Sequence, residues 1–217
     1  MRQIAQTILL LVAICALTQT VQAQDIKKAI REHYAEAKAY VDQVKKMEAE
    51  GFSYPVPQYF SAHVKQNLPA TGFHQEEVLM YYQERRDSDS QIYPSLYLDF
   101  AVKKYNFAAR EYYEEYLYDN KGQVMFIYAI TSDATEELHP YELRLYFDGK
   151  RLLRFTAKRY DGQSGYLDIT SLRKGPFKEE YSGTTIPEKY RKEVERCQQR
   201  AGRFLTMFKG IDDNTYL

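Results

Sequence analysis

From Asp25 to about Glu50, apolar residues recur three and four positions apart: Ile26, Ile30, Tyr34, Ala37, Val41 and Val44, with Ala29, His33, Tyr40 and Met47 widening the stripe. That period predicts an amphipathic helix packed on a sheet or another helix. Asp25 can cap its start, and Gly51 can supply the left-handed residue that ends it. Lys27, Lys28, Arg31, Glu32, Glu36, Lys38, Asp42, Lys45 and Lys46 occupy the remaining faces, where solvent accounts for them. Between Phe52 and Phe73, Pro55 and Pro57 remove amide donors, so this stretch reads as an ordered crossover fastened by its aromatic residues.

Beyond Glu76 the period shifts to two. Strands are expected over Glu77–Arg85, Leu96–Tyr105, Arg110–Asp119, Gln123–Thr131, Pro140–Phe147 and Arg151–Lys158. Leu96, Leu98, Phe100 and Val102 alternate onto one face of their strand; Val124, Phe126, Tyr128 and Ile130 do so on another, and Tyr141, Leu143, Leu145 and Phe147 on a third. Asp119-Asn120-Lys121-Gly122 and Asp148-Gly149 are hairpin signals that keep successive strands adjacent and antiparallel. No helical segment separates the strands, as parallel pairing would require. Leu167–Thr184 reads as a loop. Thr185 and Glu188 can then form a capping box for a second amphipathic helix, with Pro187 in its first turn, through Tyr190, Val194, Cys197, Ala201, Phe204 or Leu205, and Phe208 to a stop at Gly210. The fold class expected is α+β: an antiparallel meander of four to six strands packed by N- and C-terminal helices that close its one oily side.

The N-terminus carries Arg2, an apolar run from Ile8 to Leu17 and Val21-Gln22-Ala23, which is the three-part pattern of a signal peptide. Residues 1–23 are therefore read as a leader and 24–217 as one helix-plus-sheet domain. The apolar run is too short to span a bilayer, and no later segment matches it, so no transmembrane segment is expected once the leader is removed. Export to the periplasm or the extracellular space follows, with peripheral attachment to the envelope as a further option. Cys15 invites a lipoprotein reading, but Ile14 stands where that signal takes a small residue. Loss of the leader leaves Cys197 as the sole thiol, which excludes an intramolecular disulfide, and its place in an apolar stripe points to a buried hydrophobe.

Lys and Arg number 30, as do Asp and Glu, so a nucleic-acid surface is not expected. His33, His63, His74 and His139 lack the close helical spacing of a hydrolytic zinc motif, and no Gly-x-Ser-x-Gly elbow is present. Neither a metal nor another cofactor is implied, and no catalytic residue can be assigned. Glu111, Glu114 and Glu115 offer carboxylates for glycosidase chemistry, although a solvated sheet face explains them more simply.

Tyrosine is the unusual component, at 21 residues against no tryptophan. Tyr112, Tyr113, Tyr116 and Tyr118 share one strand, and Arg144, Arg151, Arg154, Lys158 and Arg159 form the clearest basic concentration. Tyrosine rings stack on sugars or proteins and arginines hold anions, so Tyr112, Tyr116, Tyr118, Arg144 and Arg154 are the candidate ligand-binding residues. With its leader, tyrosine-rich meander and terminal helix, the chain resembles small exported Bacteroidetes proteins of unknown function. That resemblance implies an envelope or secreted location and assigns no residue a role. The function expected is a non-enzymatic domain that binds an envelope protein or a glycan. The alternative is a secreted hydrolase acting on peptide or carbohydrate.

Overall fold

The computed structural model describes residues 2–51, 58–86, 94–108, 110–131, 140–160 and 169–215, with side chains described from Gln22 to Asp213. Helix α1 (Arg2–Ala49) leads into eight strands: β1 (Tyr59–Leu68), β2 (Gly72–Arg85), β3 (Ser95–Phe107), β4 (Arg110–Tyr118), β5 (Val124–Thr131), β6 (Tyr141–Asp148), β7 (Arg151–Tyr160) and β8 (Phe177–Gly183). The short helix α2 (Ile169–Lys174) lies between β7 and β8, and α3 (Glu188–Thr215) ends the chain. The strands form one antiparallel sheet in sequence order, each paired with its neighbours. From Gln22 onward, among the described residues, no helix is long and apolar enough to cross a membrane.

The sheet therefore has eight strands rather than four to six, and both additions are at its edges. Strand β1 begins just past Pro57 and pairs with β2 along its whole length, from Tyr59 opposite Tyr81 to Leu68 opposite Gly72. Strand β8 lies in the stretch read as a loop, because Lys178, Glu179 and Glu180 are exposed and show no apolar alternation. Such charged edges discourage further strand addition, and they give periodicity nothing to detect. Helix α2 falls in the same stretch. Helix α3 passes its expected stop at Gly210, which has an ordinary helical backbone, and continues to Thr215. Helix α1 does end as expected: Gly51 has φ of 67° and its amide donates to the Glu48 carbonyl at 3.3 Å.

The two long helices cover opposite faces of the sheet rather than closing one oily side as expected. Against α3 lie Met80, Leu98, Tyr116, Tyr118, Ile127, Leu143, Leu145, Phe147 and Phe155, closed by Tyr190, Val194, Cys197, Ala201, Phe204 and Phe208. Against α1 lie Tyr81, Phe100, Val102, Leu117, Phe126, Tyr128, Ile130 and Tyr146, closed by Ile30, Ala37, Val41 and Val44. A sheet covered on both sides needs apolar residues at both parities. Tyr116, Leu117 and Tyr118 meet that need in sequence, each fully buried and facing α3, α1 and α3 in turn.

The expected faces hold in β6, where Tyr141, Leu143, Leu145 and Phe147 all meet α3. In β5, Phe126, Tyr128 and Ile130 share the α1 side, but Val124 turns toward α3 because the pairing shifts between Leu117 and Tyr118. The expectation fails in β3. A bulge opposite Tyr81 and Tyr82 inserts Asp99, so Leu96 and Leu98 face α3 while Phe100 and Val102 face α1. The inserted Asp99 is turned to α1, where it meets His33 Nε2 at 2.7 Å. Asp119 fixes the β4–β5 turn: its Oδ1 accepts from the amides of Lys121 at 2.9 Å and Gln123 at 2.7 Å, while Gly122 takes φ of 79°.

Candidate functional site

Helix α1 crosses its face of the sheet and leaves one flank open. Along that flank, Arg31, Tyr34 and Lys38 lie three and four residues apart, on one side of the helix. Opposite them, β4 to β7 contribute Glu115, Phe126, Tyr128, Glu142, Arg144, Tyr146, Lys158 and Tyr160, and α2 contributes Arg173. These side chains enclose a cavity of about 600 Å³ whose floor is sheet and whose wall is α1. A volume of this order accommodates a small molecule or a sugar unit.

Two carboxylates are built into the floor. Glu115 is 2% exposed and accepts hydrogen bonds from the hydroxyls of Tyr34 and Tyr113 and from Lys38 Nζ at 2.7 Å. Glu142, 6% exposed, accepts from Arg144 Nε at 2.9 Å and from the hydroxyls of Tyr128 and Tyr160, both at 3.2 Å. Each buried charge thus has one cation and two tyrosines, which meets the requirement that a desolvated carboxylate be both paired and hydrogen-bonded. Burial pushes the phenols of Tyr34, Tyr113 and Tyr128 well above their ordinary value, with the neighbouring carboxylates adding to the shift; Tyr160 is pushed up to about 12. All four hydroxyls therefore remain proton donors at neutral pH. Burial alone would lower Arg144, but Glu142 beside it leaves the guanidinium above its usual value and charged.

After Lys38 and Arg144 are matched to these two carboxylates, Arg31, Lys158 and Arg173 remain. Each meets an aromatic ring. Arg31 lies 5.8 Å from the centroid of Tyr146, Lys158 4.7 Å from that of Phe177, and Arg173 5.3 Å from those of both Tyr113 and Tyr128. Arg173 Nε also donates to the Tyr128 hydroxyl at 3.2 Å. Among the described residues none of these three cations forms a salt bridge. Such contacts hold a cationic head group in place without pairing it with a carboxylate.

The five residues singled out from sequence do not converge. Tyr116 and Tyr118 are 0% exposed beneath α3, the first donating to Glu114 at 2.5 Å and the second to the Ala201 carbonyl at 2.9 Å. Tyr112 stacks on Tyr105 at 4.5 Å, and Arg154 is half-buried opposite Tyr146, outside the cavity lining. Arg144 alone lines the cavity. The missed members come from α1, from β4 to β7 and from α2, so proximity along the chain could not reveal them. The available signal was polar residues on strands buried at both parities: Glu142 and Arg144 alternate with Tyr141, Leu143 and Leu145 in β6.

Of the acidic residues of β4, Glu111 is exposed as a solvated face requires, but Glu114 and Glu115 are buried. Glu114 is 3% exposed on the α3 side, where Arg200, Tyr116 and Tyr105 donate to it, and burial raises its pKa above the ordinary carboxylate value. Cys197 lies buried beside this cluster, and burial first, then Glu114, pushes its thiol well up, which leaves it protonated and inert. His63 and His74 approach Glu77 and Glu76 at 4.0 and 3.8 Å, while His139 lies outside the described residues. Among the described residues no group of three or more His, Cys, Asp or Glu side chains is placed to hold a metal ion. No family model, curated protein or solved structure matches the chain.

Proposed function

We propose that this protein is an exported binding domain for an acidic carbohydrate, held in the cavity beneath α1. The observation that carries this reading is the charge inside an aromatic-walled hollow: Arg31 and Arg173 stand beside the rings of Tyr146 and Tyr128, Lys158 lines the same hollow, and Glu115 and Glu142 are already paired. A sugar presents an apolar ring face that stacks on tyrosine, and a uronic acid adds the carboxylate that a guanidinium fork recognises. A neutral sugar would leave the three cations uncompensated, and a flat protein surface would not enter a concave site. Export, read from the N-terminal leader, would bring the domain to a compartment where such glycans occur.

The test is calorimetric titration of the purified protein with galacturonic acid oligomers and with their methyl esters, which keep the ring and remove the charge. The acid is expected to bind in the micromolar to millimolar range, at least tenfold more tightly than the ester, with affinity falling as salt rises. Equal binding of the two forms, or binding of neither, would defeat the proposal.

A second reading, a hydrolase, is favoured by one feature: Glu115 and Glu142 line the same cavity. Glycosidic cleavage requires one carboxyl group to hold a proton and present it to the leaving oxygen. Here each carboxylate instead accepts hydrogen bonds from a cation and two phenols. Release of reducing ends from the bound oligomer, abolished by Glu115→Gln or Glu142→Gln, would establish the hydrolase in place of the binding domain.

A further inference from the structure

Resting on that binding reading, we infer that the ligand is a chain rather than a single acidic sugar, and that it runs through two adjoining subsites along the flank of α1. A second cavity, of about 570 Å³, opens beside the first and is lined by Lys38, Lys45, Lys104, Tyr112, Tyr113 and Arg173, among others. Lys38 and Arg173 line both cavities. They stand at the junction, Lys38 on α1 and Arg173 on α2. The guanidinium of Arg173 lies over Tyr113 of the second cavity and Tyr128 of the first, at 5.3 Å from each ring centroid.

The sequence of α1 makes the two cavities collinear. Arg31, Tyr34, Lys38 and Lys45 are spaced by three, four and seven residues, which keeps them on one side of the helix. At 1.5 Å per residue this row extends about 21 Å from Arg31 to Lys45, longer than any single sugar. The row carries three cations, of which Lys45 is approached at 4.0 Å by Asp42 on the same side of the helix. The floor continues the same chemistry: Tyr128, Tyr146 and Tyr160 under the first cavity give way to Tyr113 under the second, while the ring of Tyr112 stacks on Tyr105 on the α3 side of the sheet. The far end is basic as well. Lys45, Lys104, Lys38 and Arg173 line it with Glu77 and Glu111; Lys104 is paired with Glu77 at 3.3 Å, Lys45 with Asp42 at 4.0 Å and Lys38 with Glu115 at 2.7 Å, Glu111 accepts the Ile169 amide at 3.2 Å, and Arg173 forms no salt bridge among the described residues.

Helix α2 forms the opposite bank. Its Leu172 is buried against the α1-side core and its first amide is tied to β4 through Glu111, so Arg173 projects from a fixed support. A repeating acidic polymer fits this layout because it presents a ring and a charge at regular intervals, as the groove presents tyrosines and cations. A monomer would use only one end of it.

The experiment measures affinity for galacturonic acid monomer, dimer, trimer and hexamer by calorimetry, with the wild-type protein and with a Lys45→Ala/Lys104→Ala variant. Far-ultraviolet circular dichroism and thermal melting verify that the variant is folded. The wild type is expected to bind the hexamer at least tenfold more tightly than the monomer, with the gain complete once both cavities are filled. The variant should reduce that hexamer-to-monomer ratio severalfold, toward one. An affinity independent of length, or a ratio unaltered in the folded variant, would overturn the two-subsite inference while leaving acidic-sugar binding in place. No binding at any length would remove both.

Discussion

Replacing Arg200 by methionine isolates the charge buried beneath α3. Glu114 and Arg200 have 4% and 15% of their side-chain surface exposed, and they are joined directly. Glu114 also accepts from Tyr116 at 2.5 Å and from Tyr105 at 3.2 Å. Arg200→Met keeps most of the packing volume but strands a desolvated carboxylate. Removing one partner of a buried ion pair costs about 3–5 kcal/mol, much of it the penalty of the orphaned charge. With a urea slope of about 2 kcal/mol per molar, the unfolding midpoint at pH 7 should fall by about 2 M.

Burial holds the Glu114 pKa above its ordinary value even beside Arg200, and losing the cation must raise it further. A carboxyl group with a raised folded pKa favours the folded state at low pH, and that contribution is lost as pH rises through the folded value. The defect of Arg200→Met should therefore shrink between pH 7 and pH 5, by up to about 2.7 kcal/mol if protonation is complete. Glu114→Gln/Arg200→Met, which removes both charges and keeps an acceptor for Tyr116, should recover most of the loss at pH 7. Urea melts of the wild type, both single variants and the double variant at the two pH values complete the cycle. A loss below about 1 kcal/mol for Arg200→Met, or a loss equal at pH 5 and pH 7, would refute the reasoning.

Two further outcomes follow from single contacts. The hydrogen bond to Asp99 raises the pKa of His33 above 6.5, against the opposing effect of burial, with Glu36 adding to the rise. This contact should stabilise the fold fully below about pH 6.5 and lose its effect as pH rises through the higher folded value; Asp99→Asn should lower the His33 pKa measured by NMR titration and flatten the dependence of stability on pH between 6 and 8. Tyr118→Phe leaves the Ala201 carbonyl in α3 without its buried donor, so chemical denaturation should show a loss of about 1–2 kcal/mol, and an unchanged midpoint would contradict the contact.

What was legible in the sequence reflects how each element meets solvent. The 3-4 spacing of Ile30, Ala37, Val41 and Val44, and of Tyr190, Val194, Cys197 and Phe208, marked the faces by which α1 and α3 pack. The hairpins at Asp119–Gly122 and Asp148–Gly149 fixed the meander, because turn chemistry is local. Edge strand β8 escaped because a strand held chiefly by backbone pairing shows little apolar alternation; β1 does alternate, through Phe60, Ala62 and Val64, but followed Pro55 and Pro57 in a stretch read as a crossover, and the Asp99 bulge reversed faces within a strand that otherwise alternates. The site was least legible. Tyr34, Glu115, Glu142 and Arg173 are brought together by helix placement on a two-sided sheet, whereas Tyr116 and Tyr118, conspicuous in sequence, serve as core residues under the opposite helix.

The central claim is that the cavity under α1 is where ligand binds. Backbone chemical-shift mapping of isotope-labelled protein, titrated with galacturonic acid trimer, tests it most directly. Shifts concentrated at Arg31, Lys38, Tyr128, Arg144, Lys158 and Arg173 are the predicted result. Saturable shifts centred instead on α3 or on the β1 and β8 edges, or none at millimolar trimer, would contradict the account.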